Sequence, residues 1–148
     1  MGAASRGWLL LSYKVPRSPT AKRVYVWRKL KKLGAMALQD SVWVLPAAGH
    51  AREQFRWLAS EIDEMGGETT LWESTLLSDG EEGRLVARFA APVEKVYREI
   101  LAALRRKGAD RAALARRYQQ ARARDYFGSE LGRRVRAALL GAKGDRRP

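Results

Sequence analysis

The chain has 148 residues, enough for one modest core, and 46% of them are hydrophobic, five being tryptophan. It contains no cysteine, which excludes disulfides, thiolate metal sites and thiol redox chemistry. Its 29 Lys and Arg against 16 Asp and Glu give a formal charge of +13, an excess that points to an anionic partner: nucleic acid, an acidic protein or an anionic membrane surface.

In chain order, Trp8-Leu9-Leu10-Leu11-Ser12-Tyr13 is a short apolar run that reads as a buried strand. It is far too short for a signal-peptide core or a membrane span, so a cytoplasmic location without membrane contact is expected. Val15-Pro16 ends it. Ser18-Pro19 then predicts a helix start, with Ser18 as N-cap and Pro19 in the first helical position. Val26, Leu30 and Leu33 form its apolar stripe, Lys22, Arg23, Lys29 and Lys32 lie off that stripe, and Gly34 closes the helix. Ala35 to Leu38 and Val42 to Leu45 read as two strands of a hairpin around Gln39-Asp40-Ser41. A second helix over about 51–65 places Phe55, Leu58, Ile62 and Met65 on one face and ends at Gly66-Gly67. Thr69 to Leu76 reads as a fourth strand. The order is βαββαβ, the split pattern of a ferredoxin-like sandwich, so the expected class is α+β with this core over residues 7–77.

From Ser78 the character changes. Ser78-Asp79 with Glu81 and Glu82 resembles a capping box. Leu85 to Phe89 is readable as the start of a helix or as a short fifth strand. After Pro92, Val93, Val96, Tyr97, Ile100, Leu101 and Leu104 form a clear helical stripe. An Ala- and Arg-rich helix over about 109–124 and a last short helix around Leu131, Val135, Ala138 and Leu139 follow, with Phe127-Gly128 breaking the pattern between them. Residues 78–140 are thus expected to form a basic, mostly helical extension, and 141–148 a disordered tail. The charge is uneven: residues 1–83 carry 11 basic and 10 acidic side chains, whereas 84–148 carry 18 and 6, a net of +12.

Several of these segments resemble the N-terminal domain of the ChrB chromate-resistance regulators. They are the first strand, the stretch Arg23 to Ala35, the run Leu38 to Pro46, Phe55-Arg56-Trp57-Leu58 through Glu61-Ile62 to Gly66-Gly67-Glu68, and Leu71-Trp72-Glu73. Arg122-Ala123-Arg124-Asp125-Tyr126-Phe127-Gly128 is similar to a segment near the end of the same domain. The resemblance spans roughly residues 7–128. Family members carry a second, C-terminal domain that has no counterpart in these residues. A more distant likeness, through Leu33-Gly34-Ala35 and Gln39-Asp40-Ser41-Val42-Trp43, is to the ferredoxin-like domain of PaaX-type repressors and to the small proteins of CRISPR spacer acquisition. In the latter an Asp ends the first strand and binds metal; Ser12-Tyr13 stand there in this chain. Both groups dimerise through this fold, which implies a homodimer.

The strongest functional feature is the set Arg105, Arg106, Arg111, Arg116, Arg117, Arg122 and Arg124, with Lys107 beside them, at intervals that would line one side of a helical hairpin. Contact with a polyanion requires long, permanently charged forks presented at several points. The competing reading is a solvated helix face rich in a good helix former. Arg17, Lys22 and Arg23, beside Lys14 at the first helix start, are candidates for a small oxyanion such as chromate, against the plainer reading of surface charge. The tryptophans fall on predicted elements and read mostly as core or dimer packing. His50, the single histidine, has no second ligand for an ordinary zinc site. Asp40 suits turn chemistry better than metal binding.

These readings give a transcriptional regulator or regulatory module that binds DNA through Arg-rich helices. Neither catalysis nor a cofactor or metal is expected. Two other classes compete: a metal-dependent nuclease of CRISPR-associated type, and a dimerisation or adaptor module for an acidic partner.

Overall fold

The computed structural model describes residues 7–144. The chain divides between Arg84 and Leu85 into two compact units.

The first unit has the elements β1 (Trp8–Lys14), α1 (Thr20–Leu33), β2 (Met36–Gln39), β3 (Val42–Pro46), α2 (Ala51–Glu64) and β4 (Glu68–Ser74). The four strands form one antiparallel sheet in the order β2-β3-β1-β4, the arrangement expected of a βαββαβ sandwich. The apolar run of the first strand holds the middle of the sheet. Leu9 and Leu11 pair with Leu45 and Trp43, and by strand alternation these four share a face. Leu9 and Phe55 of α2 line one cleft on that face. The centre of this core is Leu11, Val26, Leu30, Leu45, Phe55 and Ile62, each essentially sealed from solvent. The predicted stripes of both helices are therefore the ones that are buried, except that Leu33 and Met65 are only half-buried.

Local chemistry explains the boundaries. Gly34 caps α1 in the left-handed conformation with φ 80°, its N–H bonding back to the helix. After α2, Gly66 takes φ 87° and Gly67 passes so close to Ile62 and the Lys14 carbonyl that a Cβ would stand 2.6 Å from each. Only glycine fits there, and the chain turns at once into β4. The hairpin carries a bulge: the register shifts between Ala37 and Gln39, leaving Leu38 extra and exposed. One expectation is corrected. Pro19, not Ser18, is the N-cap of α1, with φ −75° and ψ 150°, and no side chain caps the helix. Proline can occupy this place because its fixed φ is compatible with the extended cap geometry.

The tryptophans divide between core and surface. Trp8 and Trp43 are buried, whereas Trp27, Trp57 and Trp72 are 50%, 72% and 57% exposed. Trp57 falls on α2 outside the buried set Phe55, Leu58, Ala59 and Ile62, so helical phase alone puts it outward.

Helix α3 (Asp79–Leu104) begins in the first unit and continues in the second, followed by α4 (Arg111–Arg122) and α5 (Glu130–Gly144). Ser78 caps α3: its Oγ accepts from the Glu81 N–H at 3.2 Å and donates to Glu81 Oε1 at 3.3 Å. Trp8 Nε1 donates to Glu82 Oε1 at 3.2 Å, fastening the first turns of α3 to β1. The ambiguity at Leu85 to Phe89 resolves as helix, and α3 passes through Pro92 without ending. Leu85, Phe89, Val93, Tyr97 and Ile100 are buried at spacings of four and three, while Pro92 lies on the exposed side. Burial of that continuous stripe offsets the cost of one proline, about 3 kcal/mol. Helix α5 takes in Gly141 to Gly144, the first part of the stretch expected to be a disordered tail; 145–148 lie outside the described residues.

Candidate nucleic-acid interface

The second unit is built on Val93, Tyr97, Ile100, Tyr118, Ala121 and Val135, with Leu101, Leu114, Leu131 and Leu139 packed against them. Tyr97 and Tyr118 approach with ring centroids 6.0 Å apart. Gly132 lets α5 lie against α3, since a Cβ there would stand 2.8 Å from the Tyr97 ring.

A polar cluster holds the connection between α4 and α5. The Tyr97 hydroxyl donates to Asp125 Oδ2 at 3.0 Å, and both Asp125 oxygens accept from the Ser129 N–H. Ser129 Oγ donates to Glu94 Oε2 at 3.1 Å and accepts from the Leu131 N–H, capping α5. Burial, then the Asp125 carboxylate, push the Tyr97 hydroxyl well above the ordinary tyrosine range. Tyr126 and Phe127 pack edge-on to Phe89, at 6.1 and 6.2 Å between centroids. The segment Arg122 to Gly128 is thus a structural lock that fixes where α4 ends.

The predicted arginines are not all on one side. Arg111 and Arg122 are eleven residues apart, about three turns, and share a face of α4, whereas Arg116 and Arg117 fall on other faces. Arg105 and Arg106 follow the end of α3, and Arg124 lies just past α4. Arg117 pairs with Glu99 of α3. Arg111 is half-buried, and its Nη2 donates to the carbonyls of Ala138 and Leu139 at 3.2 and 3.3 Å. Arg105, Arg106, Arg116, Arg122 and Arg124 are exposed, and neither the Arg117–Glu99 nor the Arg133–Glu130 ion pair of this unit involves them. Sequence reasoning missed Arg136, which α5 brings to the same groove as Arg111 and Arg122. Its signal was its place next to Val135, at the border of the last apolar stripe.

In the first unit, Lys22 and Arg23 of the oxyanion candidates line different clefts. Lys22 Nζ donates to the Met65 carbonyl at 2.8 Å, closing the end of α2. Arg23 lines a cleft with Tyr13, Trp27 and Asp40. Arg17 is exposed ahead of the helix. Asp40 sits in the hairpin turn, where its carbonyl accepts from Trp43 Nε1 at 3.4 Å. His50 is exposed, with Nδ1 3.7 Å from Glu53 Oε2. Among the described residues, no three His, Cys, Asp or Glu side chains come together where they could hold a metal ion, and no helix is long and apolar enough to cross a membrane.

The sequence profile of the family described as "Protein ChrB, N-terminal" matches residues 23–122, from α1 to the end of α4. The chain belongs to this family. It is similar to Protein ChrB of Cupriavidus metallidurans, with 31% identity over 87 residues that make up 59% of this chain and 27% of that protein. The chain therefore matches about a quarter of the length of this curated relative. No solved structure matches it. The matched stretch spans the division at Arg84 and Leu85 and takes in α3 and α4, while α5 lies beyond it.

Proposed function

We propose that this ChrB N-terminal domain is a regulatory module, tied to chromate resistance, that binds DNA through the arginines of its second unit. One observation carries the reading: Arg105, Arg106, Arg116, Arg122 and Arg124 are exposed without a salt-bridged carboxylate, in a stretch whose net charge is +12. Their scatter over several faces suits sequence-independent phosphate contact, which needs cations at several points and no shared base-reading edge. Arg111 and Arg117 have structural partners and contribute mainly to the local field.

The module acts as a homodimer. The exposed Trp72 on β4, an outer strand of the sheet, supplies an apolar side chain for the second copy. Chromate acts by competing with DNA phosphates for the arginines of the second unit, both being anions. Lys22 is committed to Met65 and is not part of that step.

The experiment is binding of the protein to the upstream DNA of its own operon against a scrambled duplex, at about 150 mM salt, where phosphate contacts are already strongly screened. Chromate is added to the complex, with sulfate as control. Specific binding released by chromate supports the whole reading. Equal, salt-sensitive binding to both duplexes limits the module to phosphate contact, with specificity supplied by another chain. Absence of DNA binding with retained binding to an acidic protein favours the adaptor class instead.

A further inference from the structure

The groove between α4 and α5, of about 560 Å³, has a composition that phosphate binding does not require. Arg111, Arg122 and Arg136 stand around it, and among the described residues no carboxylate lines it. Its remaining surface is mainly apolar, from Tyr118, Leu139 and Leu140 together with Ala112 and Ala115. Leu140 is 55% exposed, an apolar side chain left to water at the rim. Arg111 is anchored through one nitrogen of its five-donor fork, Nη2, by the Ala138 and Leu139 carbonyls.

We propose that this groove binds an organic carboxylate with an apolar body. Arginine forks match a carboxylate in a two-point geometry, and the tyrosine ring and leucines cover an acyl chain or aromatic ring. The volume lies within the range of small-molecule sites, which combine a mostly apolar lining with a few convergent polar groups. A bare tetrahedral oxyanion would use the guanidinium groups and leave the apolar surface wet. The site stands on its own geometry. Only its consequence rests on the DNA reading: a ligand on Arg122 would withdraw that side chain from phosphate contact.

The test uses the full chain and no DNA, so its outcome is separate from that of the DNA reading. Decanoate, kept below its micelle concentration, is titrated calorimetrically, with acetate and sulfate as controls. Decanoate should bind at one saturable site, with acetate and sulfate far weaker. Arg122→Gln and Arg136→Gln should each weaken it about tenfold, the usual scale for one charge-assisted contact. Ala112→Trp, an addition at an exposed helix position, should abolish binding while circular dichroism shows an unchanged fold. Decanoate binding no tighter than acetate would overturn the proposal. So would sulfate binding as tightly as decanoate, or decanoate binding that survives both Arg136→Gln and Ala112→Trp.

Discussion

The Tyr97 hydroxyl donates to Asp125 Oδ2 at 3.0 Å, joining the middle of α3 to the connection between α4 and α5. Because Asp125 also receives the Ser129 N–H, this one bond helps set both the end of α4 and the start of α5. Tyr97→Phe should therefore destabilise the second unit by about 1.5–3 kcal/mol, the range for a hydrogen bond to a charged acceptor. Urea denaturation followed by circular dichroism would measure it.

The same pair gives a pH dependence. Burial and Asp125 raise the Tyr97 pKa in the folded chain above the unfolded value of about 10. The unfolded chain loses its proton first, so this contribution is complete below about pH 10 and is lost as pH rises from there toward the folded value. Stability should fall steeply in alkali, and Tyr97→Phe should flatten that fall. Tyr126, raised by burial, leaves part of the slope in the variant. Denaturation midpoints of both proteins between about pH 8 and 11 test this, and parallel curves would count against it.

Gly132→Ala should destabilise the second unit by about 1–3 kcal/mol, the cost of overpacking a filled core. Its Cβ would lie 2.8–3.0 Å from two ring carbons and the hydroxyl oxygen of Tyr97, a side chain with no solvent-exposed surface. An unchanged melting midpoint would mean that α5 does not make this approach.

In the first unit, Phe55→Ala should cost about 3–5 kcal/mol, as expected for a sealed aromatic. Trp57→Ala, two positions on and 72% exposed, should change stability by no more than about 0.5 kcal/mol. All five tryptophans precede Arg84, so tryptophan fluorescence reports this unit.

The ferredoxin-like core was legible in the sequence because each of its boundaries has a strong local cause. Gly34 takes a left-handed cap, Gly66-Gly67 makes a turn no side chain would fit, and the hairpin leaves room for little but a tight connection. The path of α3 through Pro92 was not legible in the same way. A proline is a local signal against helix, and the packing that overrides it belongs to the folded unit. The arginines divide similarly. Their charge was plain from the sequence, and helical phase alone separates Arg116 and Arg117 from Arg111 and Arg122. That Arg136 of another helix joins the last two, or that Lys22 closes α2 at Met65, depends on how helices pack, which spacing does not encode.

The most direct test of the central claim, that the exposed arginines grip DNA, is the salt dependence of duplex binding. The protein and a variant with Arg105, Arg106, Arg116, Arg122 and Arg124 changed to Gln are each titrated with a short duplex between about 50 and 200 mM salt. Log K should fall linearly with log salt for the unchanged chain, and the variant should lose a slope of about 0.9 for each phosphate contact removed. Equal affinity and equal slope in the two proteins, or no duplex binding by the unchanged chain even at the lowest salt, would contradict it.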